Sequence, residues 1–243
     1  MIPKKIHYCW FGGNPLPETA KKYMNTWKKY CPDYEIIEWN EKNFDITQNQ
    51  YCQEAYKAKK WAFVSDYARL KVLYEYGGIY MDTDVEVVKP FDDLLKEYNF
   101  FACVEGDKIS IGTFGTIAKN SYIKLLLDKY QNRKFIKENG KFDYTTNLKI
   151  VTEVTAQKYK VDFLKFKNNI IFGNKNVIFT QDYFIAKDYV TGTLQVTDNT
   201  FAIHHFDGSW LNFLGKIKII MQRCFCFILG TKNWIKLKQF LKK

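Results

Sequence analysis

Two carboxylates close the run Gly77-Gly78-Ile79-Tyr80-Met81-Asp82-Thr83-Asp84. A bare D-x-D is expected by chance roughly once in a chain of this composition, so its context carries the information. In layered α/β proteins, ligands gather at the carboxyl ends of strands, and "GIYM" delivers Asp82 and Asp84 to such an end. Residues two apart on a strand face the same side. Two close carboxylates repel unless a cation sits beside them. Hard oxygen ligands suit Mg²⁺ or Mn²⁺, which commonly bridge to substrate phosphates. The alternative is a solvated turn.

Three further features carry possible chemistry. Asp66 and Arg69 lie three apart within "KWAFVSDYARLKVL", on the helix face that also holds Ala62 and Leu73. Charges on a buried face need partners. They form either a structural ion pair or a pair that offers hydrogen bonds to sugar hydroxyls. In "FAIHHFDGSW", His204 and His205 point to opposite faces if the segment is a strand, and one imidazole can complete a manganese site with Asp84. Trp10 ends a first strand before Gly12-Gly13, where an indole either packs in the core or stacks on a base.

The elements that must position these groups follow from periodicity. "KKIHYCWF" and "YEIIEW" read as strands around a helix over "ETAKKYMNTWKKY", with Trp27 on its apolar side. "QEAYKAKKWAFVSDYARLKVLYEYG" has helical period throughout and stops at Gly77. "GIYMD", "VEVVKP", "NFFACVE", "FGTIAK", "NVIFT" and "TFAIHHF" are strand-like. "SYIKLLLDKYQN", "LKIVTEVTAQKY" and "WLNFLGKIKIIMQRCFCFIL" are helical. Alternating strands and helices argue for an α/β layered domain with a mainly parallel sheet.

Composition narrows the class. The 243 residues are 47% hydrophobic and 18% aromatic, enough for a real core. Of the +11 formal charge, eight basic and no acidic residues fall from Gly215 onward, leaving 29 basic against 26 acidic before it. A nearly balanced body argues against a nucleic-acid-binding domain. No C-x-x-C pair exists among six cysteines, which argues for reduced thiols rather than zinc. The start "MIPKKIHYCWFGG" reads as a strand rather than an export signal, and no apolar run of about 18 residues is present. The chain is expected to be cytoplasmic. G-x-G-x-x-G, Walker A, G-x-S-x-G and H-E-x-x-H are absent.

Taken together, "IPKKIHYCWFGG", "AFVSDYARLKVLYEYGGIYMDTDVEVVKPFDDLL" and "HHFDGSW" resemble the sugar-binding-region signature of glycosyltransferase family 32, including its bacterial capsule and surface-polysaccharide transferases. The segments are also similar to the nucleotide-sugar core of the large glucosylating toxins. The resemblance is dense over residues 1–95, returns at 201–210, and is loose between. It implies a GT-A fold with a Rossmann-like nucleotide-binding sheet, and a retaining, metal-dependent transfer from a nucleotide sugar, UDP-linked by the toxin likeness, to a glycan acceptor. Position by position, it implies that Trp10 stacks on the base, that Asp66 and Arg69 hold the donor sugar, and that Asp82 and Asp84 bind ribose and Mn²⁺ or Mg²⁺, Asp84 directly. His205 takes the place of a metal-binding histidine. Ser209 and Trp210 close over the diphosphate. Asn147 and Glu153 are acceptor-side candidates by residue type alone. The alternatives are a metal-dependent phosphoesterase and a non-catalytic sugar-binding protein.

The expected division is a GT-A domain over 1–214 and a basic, amphipathic helical tail over 215–243. In the tail, Trp234, Leu237 and Leu241 recur at helical spacing opposite Lys232, Lys236 and Lys243. Such a helix lies in an anionic membrane surface rather than across it, on the cytoplasmic face beside a lipid-linked acceptor.

Overall fold

The computed structural model describes residues 1–208, 213–230 and 233–234. A seven-stranded mixed sheet runs through the domain in the order β2-β1-β3-β6-β5-β8-β7. Its strands are β1 (Lys5–Cys9), β2 (Glu35–Trp39), β3 (Gly78–Met81), β5 (Phe100–Glu105), β6 (Lys108–Thr116), β7 (Ile170–Phe172) and β8 (Asn176–Phe179). β2, β1 and β3 are mutually parallel, β6 returns antiparallel to β3, and β5 runs parallel to β8. A separate ribbon pairs β4 (Val85–Val87) with β9 (Ala202–His204). This is the α/β, parallel-rich architecture expected from the alternation of elements.

The helices cover both faces. α1 (Glu18–Tyr30) buries Trp27 completely, and its indole N–H donates to the Val85 carbonyl at 2.7 Å, fixing the start of β4. The long helical period upstream of Gly77 forms two helices rather than one, α2 (Gln50–Lys57) and α3 (Trp61–Tyr76). Lys59 between them has φ +56°. A left-handed residue interrupts the hydrogen-bond ladder although the apolar spacing continues across it. α4 (Asp92–Glu97), α5 (Ser121–Asp128), α6 (Asn147–Tyr159) and α7 (Phe213–Leu229) complete the set. Of the expected helical tail over 215–243, residues 231–232 and 235–243 lie outside the described residues.

One apolar core lies beneath α2, α3, α5 and α6. Another lies under α1, α4 and the β4–β9 ribbon. Between them, the carboxyl ends of β2, β1 and β3 open on the same edge of the sheet. The chain leaves β3 there directly into Asp82.

Candidate active site

The edge carries a group of three ligand-type side chains. One donor atom each from Asp82, Asp84 and His204 lies within 4.8 Å of the other two. Asp82 and Asp84 follow β3, as the strand-end reading requires. His204 arrives through the ribbon: it pairs with Val85 in register, and the His205 N–H donates to the Asp84 carbonyl. His204 Nε2 is 3.1 Å from Asp84 Oδ1. Burial alone would lower the His204 pKa and raise that of Asp84. Without a cation, their attraction reverses both, favouring a charged imidazole and an ionised carboxylate; a metal would take the imidazole in its neutral form. Asp84 Oδ2 also accepts the Asp207 backbone N–H at 3.0 Å.

The residues fit a divalent metal. Their chemistry is two carboxylates and one imidazole, which suits Mn²⁺ or Mg²⁺. His204 Nδ1 is buried without a hydrogen-bond partner. Gly112 completes the cradle, since a Cβ there would stand 2.9 Å from Asp82 Oδ2 and 3.2 Å from His204 Nδ1. His205, the histidine expected at the metal, faces the other way. Its Nε2 is 2.8 Å from Glu86 Oε2, and its ring stacks on Tyr23 at 4.4 Å. Adjacent strand residues alternate faces, and the register with β4 turns His204 inward.

Asp66 and Arg69 join the same site. Arg69 is buried and almost fully engaged: Nη1 donates to the Ile111 carbonyl at 2.9 Å, Nε donates to the Ser65 carbonyl at 3.2 Å, and Nη2 lies 3.2 Å from Asp82 Oδ1. Its guanidinium also lies over the Tyr80 ring at 4.5 Å, and Tyr80 Oη donates to Asp82 Oδ1. The Asp66 carboxylate is farther from Arg69, at 3.7 Å. Burial pushes it up to about 6, with Asp82 adding to the rise and Arg69 opposing it. Asn147, at the start of α6, donates from its side chain to the Asp66 carbonyl at 2.8 Å. Glu153 stays on the exposed face of α6, 3.7 Å from Lys149.

Trp10 lines an open cleft of about 760 Å³ beyond the ends of β1 and β2. Its indole N–H donates to the Asn14 carbonyl at 2.6 Å. Trp61, at the head of α3, lines the same cleft, and Gly12 lets the chain pass it. A Cβ at Gly12 would approach the Trp61 ring to 2.7 Å. Tyr80 lies within the Gly77–Asp84 run, whereas Trp61 carries no motif and only its position five residues before Asp66 hints at a role. Ser209 and Trp210 lie outside the described residues.

Residues 17–101 match the family described as "Glycosyltransferase sugar-binding region containing DXD motif". Among curated proteins, the chain is 28% identical over 151 residues to inositol phosphoceramide mannosyltransferase 1 of Schizosaccharomyces pombe, covering 56% of this chain and 46% of that protein. It is 36% identical over 66 residues to human alpha-1,4-N-acetylglucosaminyltransferase, covering 27% of this chain and 18% of the relative. The chain thus spans less than half the length of these two relatives. Among solved structures, the PaToxG glycosyltransferase superposes with a TM-score of 0.50 at 20% identity, covering 65% of this chain and 70% of that one. GlyE of Streptococcus pneumoniae TIGR4 does so with a TM-score of 0.50 at 13% identity, covering 96% and 64%. Asp66, Arg69, Asp82 and Asp84 all fall within the matched region, and the chain has the GT-A fold, with Asp82 and Asp84 at the carboxyl edge of its sheet.

Proposed function

We propose that this chain is a metal-dependent retaining glycosyltransferase that moves a sugar from a nucleotide-sugar donor, UDP-linked by preference, to a glycan acceptor. The observation that carries this reading is the continuity of the Asp82–Asp84–His204 group with Arg69 and Asp66, on the sheet edge that also opens the Trp10–Trp61 cleft. A bound divalent cation would supply Lewis-acid stabilisation of the diphosphate leaving group. Trp10 stacks on the base, within reach of Trp61. Arg69 fixes the Asp82 carboxylate and braces Asp66, whose carboxylate accepts a hydroxyl of the donor sugar. The anomeric carbon–oxygen bond to the diphosphate breaks and the acceptor oxygen takes its place. The acceptor proton leaves to the departing diphosphate.

The acceptor we infer is a glycan or glycolipid presented at an anionic membrane on its cytoplasmic face. No helix among the described residues is long and apolar enough to cross a membrane. α7 exposes Ile220, Met221, Phe227 and Ile228; it holds three basic and no acidic residues, and five more basic residues follow it in the sequence. That combination suits an interfacial position. The fungal relative is named for transfer to inositol phosphoceramide, a lipid. A role in bacterial surface-polysaccharide synthesis rests on the sequence resemblance alone.

A screen of UDP- and GDP-sugars with Mn²⁺, read as release of nucleoside diphosphate, tests the reading. Sugar-dependent release supports it. Hydrolysis of simple phosphate esters instead supports the phosphoesterase, and sugar binding without release supports a binding protein. For the membrane part, sedimentation should show retention by anionic but not neutral vesicles that weakens on truncation after Gly230, which removes five of the eight basic residues and leaves α7 in place.

A further inference from the structure

Residues 186–195 form a hairpin beside the ribbon. Lys187 bridges Leu194, the Asp188 N–H donates to the Thr193 carbonyl, and the Gln195 N–H donates to the Ala186 carbonyl. Aromatic contacts tie the hairpin to the metal-type triad: Tyr189 meets Phe206 at 5.2 Å, and Phe206 stacks on His204 at 4.2 Å. At the hairpin tip, Gly192 has φ +75° and carries the Arg223 side chain of α7. A Cβ at Gly192 would lie 3.1 Å from Arg223 Cδ and 3.3 Å from Nε.

Two cations therefore meet between the hairpin, α7 and the triad, and neither forms an ion pair with a carboxylate among the described residues. Arg223 Nε and Nη2 are buried and have no hydrogen-bond partner. Lys187 is half-buried and close enough to Arg223, Asp84 and Asp207 to feel all three charges. Asp188, next in sequence, spends its carboxylate on Thr191, through both the backbone N–H and the hydroxyl. A buried guanidinium with two open donors is costly unless an anion completes it. Its fork matches phosphate oxygens, and a nearby ammonium adds a point charge.

We propose that Lys187 and Arg223 form the cationic wall of the diphosphate site, facing the leaving group from the side opposite Asp82, Asp84 and His204. The assignment rests on the nucleotide-sugar reading above. It makes α7 a part of the donor site as well as a membrane-facing helix. The ligand is a nucleoside diphosphate, whose two phosphates span from the metal-type triad to the cations. The same phosphate chemistry is offered by lipid headgroups. The short path from the cations through Phe206 to His204 favours the donor.

The test is calorimetric titration of the full chain with UDP and with GDP in Mn²⁺, comparing wild type with Lys187→Met, Arg223→Gln, Arg223→Lys and the Lys187→Met/Arg223→Gln double variant. Each neutral single variant is expected to weaken the better nucleotide roughly tenfold and the double variant roughly a hundredfold, with Arg223→Lys recovering part of the loss. Displacement by the free nucleoside, which lacks phosphates, should be unchanged. Without ligand, the neutral variants should melt no lower than wild type, because no internal partner is orphaned. Several results overturn the assignment. If the double variant binds the diphosphate as wild type does, the cations serve another purpose while the donor reading stands. If Arg223→Gln leaves nucleotide binding intact but loses anionic vesicles, they serve the membrane. If the variants melt well below wild type and lose nucleoside binding too, their role is structural. If wild type binds neither nucleotide, this assignment and the donor reading fall together.

Discussion

Arg69 is buried and Arg223 half-buried with two buried nitrogens, and they have opposite surroundings. Arg69 has two carbonyls, two carboxylates and an aromatic face supplied by α3, β3 and β6. Arg223 has two buried nitrogens with nothing to donate to. The same contrast separates the histidines. His7 is closed on both ring nitrogens, with Nε2 bonded to the Gly77 carbonyl and Nδ1 accepting from the Trp39 indole. His204 keeps Nδ1 open beside Asp82. A polar group whose partners come from the protein secures the scaffold. A buried group left open beside a cluster of ligand-type side chains is a place where a ligand, ion or water can complete the structure.

Breaking a closed group should cost the most stability. Arg69→Met leaves Asp82 and Asp66 without their cation, which costs about 3–5 kcal/mol for a buried pair. A fall in Tm of roughly 10 °C is expected by calorimetry, against none for Arg223→Gln. Equal melting of Arg69→Met and wild type would erase the distinction.

The closed His7 makes a pH prediction. Burial lowers its pKa from 6.5 to about 4, with the Gly77 hydrogen bond opposing. The unfolded chain then takes up the proton first as pH falls. The stabilisation is complete above about pH 6.5, is lost progressively below it, and levels off once pH passes about 4. At 1.36 kcal/mol per unit, the loss is about 3 kcal/mol. Denaturant titrations at pH 7 and pH 4 measure it. In His7→Gln that part of the pH dependence should vanish, and persistence of the full slope would refute the assignment.

The two neighbouring histidines sharpen the contrast at the site itself. His204→Ala should weaken Mn²⁺ binding by roughly tenfold or more, read by titration of free Mn²⁺ with electron paramagnetic resonance. His205→Ala removes a partner of Glu86 and Tyr23, and should change Mn²⁺ affinity by less than about threefold. Reversed effects would put the wrong ring at the metal.

Asp66 stands between the two classes. Its raised pKa, about 6, means the fold prefers the protonated carboxyl. That preference stabilises below about pH 4 and is lost as pH rises through 6. At pH 8, Asp66→Asn should therefore melt no lower than wild type, while KM for the donor rises. Early melting with unchanged kinetics would make Asp66 a structural residue.

Much of the site was legible because it is local. The strand "GIYM" ending in Asp82 and the i, i+3 spacing of Asp66 and Arg69 are short-range patterns, and the structure realises both. The helix over "ETAKKYMNTWKKY" appears with the same bounds. What was hidden depends on distant contacts. Whether His204 or His205 faces inward is decided by pairing with Val85, more than a hundred residues away. The break before Trp61 rests on one left-handed lysine inside an uninterrupted apolar period. β7 is three residues long and half-exposed, too short for alternation to register. Lys187 and Arg223 are unremarkable in a basic sequence, and only the hairpin and α7 bring them to the triad.

If Asp84 anchors a metal needed to expel a nucleoside diphosphate from a sugar donor, release of the diphosphate depends on both. Release of that diphosphate should be measured with Mn²⁺ for wild type and Asp84→Asn in parallel, using the donor that wild type binds and a folded-state check on both proteins. Metal-assisted stabilisation of leaving-group charge is worth several kcal/mol. Asp84→Asn is expected to fold and to turn over at least roughly a hundredfold more slowly, and excess chelator to silence wild type to the same level. Undiminished release by Asp84→Asn, or by wild type in chelator, would contradict it.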